Sequence, residues 1–301
     1  MSPPIIDVSQ SDRVHTHKAI DAACREWGLF QVVGHDIDTR LLSAVRRQMR
    51  ALFGAPLEAK QAIARTADNP WGFYDRELTR HTRDWKQVYD YGPADGGALV
   101  PQLPANLPAF EPIVRSFYEA CDALSMRLLR VMARNLGMPA DSLDAHFRPA
   151  HTSFLRLNYY PRCPAPDRHR GVNTHTDSGA ITLLLQDMPG LEVFHHDWWM
   201  VEPVRDALVV NIGDMMQVWS NDLYQAPLHR VVTNAGSDRF SAPFFFNPAY
   251  STNYAPLPSV VDARNPARYR AINWREFRAG RAAGDYADVG EYMEISRYAI
   301  H

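Results

Sequence analysis

Phe154-Leu155-Arg156-Leu157-Asn158-Tyr159-Tyr160-Pro161 opens the stretch whose reading decides the fold. It is a short β-rich run stopped by a proline, and further runs of the same kind follow at 181–186, 191–194, 208–212, 215–219, 229–233 and 240–246, separated by turn residues. No helix-length crossovers lie between them, so a parallel sheet is disfavoured and a sandwich or double-sheet jelly roll is expected.

Upstream the pattern changes to helical periodicity. Residues 5–8 read as a short strand, and Ser9 or Ser11 is placed to cap a helix whose Ile20, Ala23 and Trp27 share one face before Gly28 ends it. A strand over 29–33 follows. Leu41, Leu42, Val45, Met49, Leu52 and Phe53 then recur at helical spacing until Gly54 and Pro56. The Pro/Gly-rich 91–112 stretch reads as loop. After it Phe110, Val114, Phe117, Cys121, Leu124, Leu128 and Val131 mark a long helix ending at Gly137, a spine for the fold. A sheet left alone exposes an apolar face. The expectation is therefore one globular domain over 1–301, mainly β with helices, in which N-terminal and spine helices pack on a jelly-roll core at 150–250.

Composition narrows the function. The chain has 301 residues, 46% hydrophobic and 22% charged, with a net charge of −2. Its charges are scattered, so neither nucleic acid nor an anionic membrane is an expected partner, and a small-molecule substrate is. Cys24, Cys121 and Cys163 are widely spaced and form no C-x-x-C, which argues against a disulfide framework or a thiolate zinc site. The N-terminus has no basic segment followed by an apolar stretch, and no apolar run approaches membrane-spanning length. A cytoplasmic monomer is expected.

The chemistry concentrates around Asn173-Thr174-His175-Thr176-Asp177-Ser178. In extended chain, residues two apart project to the same side, so His175 and Asp177 can share one ion. His229 opens a later strand and is the candidate third ligand. Two imidazoles and one carboxylate on one face of an octahedral ion leave the other face open, the arrangement of Fe(II) oxygenases. With twelve histidines in the chain, one H-x-D pair is weak on its own. His195-His196-Asp197 is a second cluster, but it precedes Trp198-Trp199 in an expected hairpin turn and is set aside.

Ten residues after His229, Arg239 and Ser241 form another same-face pair, a guanidinium beside a hydroxyl that suits a carboxylate. Arg156, Asn158 and Tyr160 share parity on the earlier strand. Each alone is an ordinary strand residue; their joint order around the H-x-D pair and the distant histidine is what carries weight.

Together these landmarks resemble the 2-oxoglutarate/Fe(II) dioxygenases related to isopenicillin N synthase, over nearly the whole chain. Ile5-Ile6-Asp7-Val8, the segment from Cys24 through Gly28 to Val33, Gly72-Phe73 and Asp84-Trp85-Lys86 look like that family's N-terminal region, here 1–110. Leu157-Asn158-Tyr159-Tyr160-Pro161, Pro189-Gly190-Leu191, Asn211-Ile212-Gly213-Asp214, Leu228-His229-Arg230-Val231 and Arg239-Phe240-Ser241 follow the order and spacing of its core. The resemblance implies a distorted double-stranded β-helix, Fe(II) held by His175, Asp177 and His229, and the distal carboxylate of 2-oxoglutarate held by Arg239, Ser241 and Tyr160, with Asn158 lining the same pocket. It implies an oxygenase that decarboxylates 2-oxoglutarate to succinate with O₂ while hydroxylating, desaturating or cyclising a small metabolite.

Phe245 shares a strand face with Arg239 and Ser241 and resembles a position where relatives place an aromatic against the substrate; Arg156 is a candidate for an acidic substrate group. A core role for Phe245 and a structural ion pair for Arg156 are equally open. Two departures, Gly34-His35-Asp36 and Asn221-Asp222-Leu223-Tyr224, fall in loops expected near the cavity mouth. The alternatives are an Fe(II) oxidase of the same family that needs no 2-oxoglutarate, and a non-catalytic metal-binding jelly roll. Three protein ligands and an open face disfavour the second.

Overall fold

Apolar residues at alternating strand positions and at helical spacing give two layers a common core, and a computed structural model shows how they meet. It describes residues 2–10, 12–92, 99–286 and 292–300. The strands of the two larger sheets are β1 (Ile5–Asp7), β2 (Leu29–Val33), β3 (Gly72–Tyr74), β4 (Gln87–Tyr91), β5 (Phe154–Tyr160), β6 (Arg170–His175), β7 (Ile181–Gln186), β8 (Leu191–His195), β9 (Asp197–Met200), β10 (Leu208–Ile212), β11 (His229–Val232) and β12 (Arg239–Phe246). An eight-stranded sheet has the order β1-β2-β10-β7-β12-β5-β4-β3, and a four-stranded sheet the order β9-β8-β11-β6. Apart from the parallel β1–β2 pair, these neighbours run antiparallel, as the short runs and tight turns require.

The helices α1 (Val14–Glu26), α2 (Thr39–Phe53) and α3 (Phe110–Asn135) supply Ile20, Val45, Phe117 and Leu128 to the large core, where strand residues Leu155, Leu183 and Phe244 meet them. The spine expectation holds for α3, whose buried face runs from Phe110 to Ala133. A smaller apolar cluster joins the two sheets through Leu29, Tyr160, Val172, Leu191, Val209 and Val231. It floors the space in which the candidate residues lie.

Several expectations change. The 215–219 run is a helix, α4 (Asp214–Trp219), not a strand. Its buried Met215, Met216, Val218 and Trp219 fit one helical face, and so short an apolar run is too little for periodicity to decide. Tertiary acceptors decide instead: Gly213, Asp214 and Met215 donate their N–H groups to the carbonyls of Ala180, Asp177 and Gly179. A Cβ on Gly213 would stand 2.1 Å from the Gly179 carbonyl oxygen, so this close approach requires glycine. Helix α1 begins only at Val14, after Arg13, with no side-chain cap; Ser9 instead donates its N–H to Asp7, and Ser11 lies outside the described residues. Within the 91–112 stretch Tyr91 belongs to β4, Phe110 starts α3, and 93–98 lie outside the described residues.

Candidate active site

His175 ends β6 and sits directly opposite His229, the first residue of β11. Their ring centroids are 4.2 Å apart. Asp177, two residues on, brings Oδ1 to 3.8 Å from His175 Nε2 and 3.6 Å from His229 Nε2. Ligand atoms of the three residues all lie within 4.8 Å of one another, and among the described residues this is the group of His, Cys, Asp and Glu side chains able to hold a metal.

Backbone carbonyls orient both rings. His175 Nδ1 lies 2.7 Å from the Asn173 carbonyl and His229 Nδ1 3.1 Å from that of Pro227. Each Nδ1 therefore carries the proton and donates, which leaves the Nε2 lone pairs turned toward Asp177. Asn211 donates from Nδ2 to Asp177 Oδ2 at 2.6 Å, so Oδ1 remains for a cation. Burial and the neighbouring His229 lower the His175 imidazole to about 3. Burial pushes the Asp177 carboxyl up, but His229, His175 and the Thr182 hydroxyl outweigh it and hold the group well below the carboxylate range. Burial also works against a charged His229, and Asp177 reverses the sign, so that ring is raised. The charge pattern is that of a cation site.

The second cluster comes from the register of the large sheet. Arg239 on β12 faces Tyr160 on β5, and Ser241 faces Asn158 on one side and Gln186 on the other. Arg239 is 1% exposed. It donates from Nε to the Met188 carbonyl at 3.1 Å and from Nη2 to Gln186 Oε1 at 2.9 Å, while Nη1 is buried without a partner among the described residues. Burial lowers its pKa. A buried guanidinium with an unused N–H and no ion pair is costly unless an anion completes it. Asn158 donates to Ser241 at 3.3 Å, and its Oδ1 is likewise unpartnered. Gly190, at φ +148°, leaves room for the arginine stem: a Cβ there would stand 2.9 Å from Cδ and Nε.

His175, Asp177, His229, Arg239, Ser241, Tyr160, Asn158, Phe245 and Arg156 all line one cavity, about 1100 Å³ to its open rim. Phe245 stacks on Phe154 at 4.7 Å. Arg156 reaches the wall with its guanidinium already engaged, bidentate to Asp90 at 2.7 and 2.8 Å and paired with Glu77 at 2.5 Å. His195 and His196 lie at the β8–β9 hairpin, away from this cavity. The two loop departures do not line it either; His35 is buried against the Asp206 carbonyl, contrary to the mouth position expected for them.

Sequence reasoning left several participants without a role. Lys86 and Glu77, both in the cavity wall, pair at 2.6 Å, and Lys86 also meets Asp84 at 3.1 Å. Asp84-Trp85-Lys86 was legible as a landmark, but its charge network was not. Arg281 on α5 (Trp274–Tyr286) donates to the Thr176 hydroxyl at 2.9 Å and pairs with Asp214. Nothing local marks an arginine 105 residues from its partner.

A jelly roll that gathers two imidazoles and a carboxylate beside a buried, incompletely paired guanidinium is the architecture of a non-haem iron oxygenase. Residues 151–248 match the model of the 2OG-Fe(II) oxygenase superfamily, and residues 3–107 that of the non-haem dioxygenase in morphine synthesis N-terminal region. The chain is 33% identical to jasmonate-induced oxygenase 1 of Arabidopsis thaliana over 290 residues, 91% of this chain and 71% of that one. Its fold is similar to that of JOX2 solved with 2OG, Fe and JA, with a TM-score of 0.88 and 31% identity over 100% of this chain and 90% of that one. It is also similar to the dioxygenase for auxin oxidation in rice, with a TM-score of 0.84 and 26% identity over 99% of this chain and 100% of that one. The chain belongs to the 2OG-Fe(II) oxygenase superfamily, and is a dioxygenase that uses Fe(II), 2-oxoglutarate and O₂ to oxidise a small organic molecule.

Proposed function

We propose that His175, Asp177 and His229 bind the Fe(II), and that Arg239, Ser241 and Tyr160, with Asn158 beside them, hold the remote carboxylate of 2-oxoglutarate. The observation that carries this reading is the buried Arg239 Nη1, without a partner among the described residues, at the wall of the cavity that also contains the triad. Bound iron supplies oxygen activation; the chain's residues orient the keto acid, keep the imidazoles in one tautomer and limit water. Phe245 forms the wall against the prime substrate. Arg156, neutralised by Asp90 and Glu77, serves as a fixed part of that wall rather than as the receptor for an acid. We further read residues 1–301 as one domain and the protein as a cytoplasmic monomer, a compartment that suits its free, buried cysteines. No helix among the described residues is long and apolar enough to cross a membrane.

The test is anaerobic. Wild-type protein with Fe(II) should develop a visible charge-transfer band on adding 2-oxoglutarate, and Arg239→Ala should weaken keto-acid affinity by at least the roughly 1.5–3 kcal/mol of a charged hydrogen bond. Arg239→Lys keeps the charge, loses the planar fork and should fall between. Iron binding should survive in both. Turnover without any keto acid would sink the co-substrate assignment and favour the 2-oxoglutarate-independent oxidase.

A further inference from the structure

Beside the iron cavity lies a larger basin, about 1570 Å³ to its open rim, lined by Trp71, Tyr74, Tyr250 and the guanidinium-bearing Arg65, Arg275 and Arg278. Phe154 and Arg278 line both spaces, so they form the partition between them. Phe154 stacks on Phe245 at 4.7 Å on the iron side and stands 6.0 Å from Trp71 on the other. The three rings make a continuous aromatic row from one space to the next.

Among the described residues the basin's charge is one-sided. Its carboxylate, Asp90, has both oxygens taken by Arg156 at 2.7 and 2.8 Å. Arg275 and Arg278 have no carboxylate partner among the described residues; each instead faces a ring, Tyr250 at 4.5 Å and Phe154 at 6.0 Å. Arg65 lies 3.3 Å from the centre of the Tyr74 ring. Trp71 keeps its indole N–H buried with no acceptor among the described residues. Its ring is seated against Gly92, where a Cβ would fall 2.3 Å from the indole. Flat rings and guanidiniums set against them form a surface for a planar group bearing negative charge.

We propose that this basin is a binding site for a planar organic anion, distinct from the 2-oxoglutarate pocket. Resting on the oxygenase reading, it also gives the class of the prime substrate: an elongated molecule whose aromatic or conjugated carboxylate lodges in the basin while its oxidised carbon passes Phe154 toward the triad. Arg278, at the partition, is the cation such a molecule meets midway.

The basin is tested by calorimetric titration of the full chain with naphthalene-1-carboxylate and with naphthalene-1-carboxamide, each with and without saturating 2-oxoglutarate. The carboxylate should bind about tenfold or more tightly than the carboxamide, the equivalent of one charged hydrogen bond, and 2-oxoglutarate should not displace it. Arg275→Ala and Tyr250→Ala, at exposed positions that line only the basin, should each weaken it, and Phe245→Ala, in the iron cavity only, should leave it unchanged. No binding, no preference for the carboxylate, displacement by 2-oxoglutarate, or loss confined to Phe245→Ala overturns the proposal. Failure of the oxygenase reading looks different: no keto-acid turnover, with naphthoate binding and its response to Arg275→Ala intact.

Discussion

Glu77 shows what a buried charge costs and how neighbours offset it. Burial raises its carboxyl, but the Arg156 and Lys86 cations outweigh that and bring it to about 2, below the ordinary 4.5. A depressed carboxylate contributes stability that is fully present above its unfolded pKa and is lost as pH falls through the folded one. The window here runs from about 4.5 down to about 2. Asp84, raised by burial, acts with the opposite sign and blunts this acid limb. Glu77→Gln takes one carboxylate from Lys86 and Arg156, which keep Asp84 and Asp90, so the loss should stay below about 3–5 kcal/mol, the cost of a buried charge left wholly unpaired. Thermal melts against pH should show a lower plateau near neutrality and a flatter slope below 4.5 than wild type; an unchanged slope would mean that Glu77 is not the titrating group. At this scale parity told which residues face the cavity: 156, 158 and 160, or 239, 241 and 245, share a strand face, and all line it. What Arg156 does there was not legible, because its partners Asp90 and Glu77 lie on chain segments whose approach no local pattern encodes.

Helix α5 ties the C-terminal part of the chain to the loop that carries the proposed ligands. Arg281, 2% exposed, holds Thr176 between His175 and Asp177, and pairs with Asp214 of α4, whose own N–H donates to the Asp177 carbonyl at 2.7 Å. Groups that orient ligands from behind are worth about 10–100-fold in metal affinity. Arg281→Met keeps an unbranched apolar side chain and removes the hydrogen bonds together with the guanidinium's contacts to the Phe277 and Tyr292 rings. Competition with a chelator should show metal affinity falling by about that factor while circular dichroism stays native. Unchanged affinity would reduce the clamp to packing. The 215–219 run belongs to the same region: Val and Trp suit a strand, yet a helix forms because acceptors from the 177–180 loop meet its first N–H groups.

Across the whole molecule, N-terminal strands complete both sides of the large sheet. β2 pairs with β10, and β4 pairs with β5. Cutting the chain near residue 110 would expose two sheet edges and the faces that α1 and α2 cover. The full chain should therefore unfold in one calorimetric transition, and 111–301 alone should fail to fold; two resolved transitions would contradict a single domain. The periodicity showed the spine helix and most core strands, but not β3, β4 or α5, so helices and strands are less segregated along the chain than expected; the division of strands between two sheets depends on which edges meet, which spacing along the chain does not specify.

The two imidazoles also bear on the order of events in the life of the protein. Their Nδ1 groups are tethered to the carbonyls of Asn173 and Pro227, and Asp177 is steadied by Asn211, all by groups of the chain itself. A chain that holds its ligands in place with its own backbone and amide groups owes little of its folding to the metal, unlike small zinc modules that collapse when stripped. Loading is then expected to follow folding rather than drive it, and a chelator should empty the site while circular dichroism stays native.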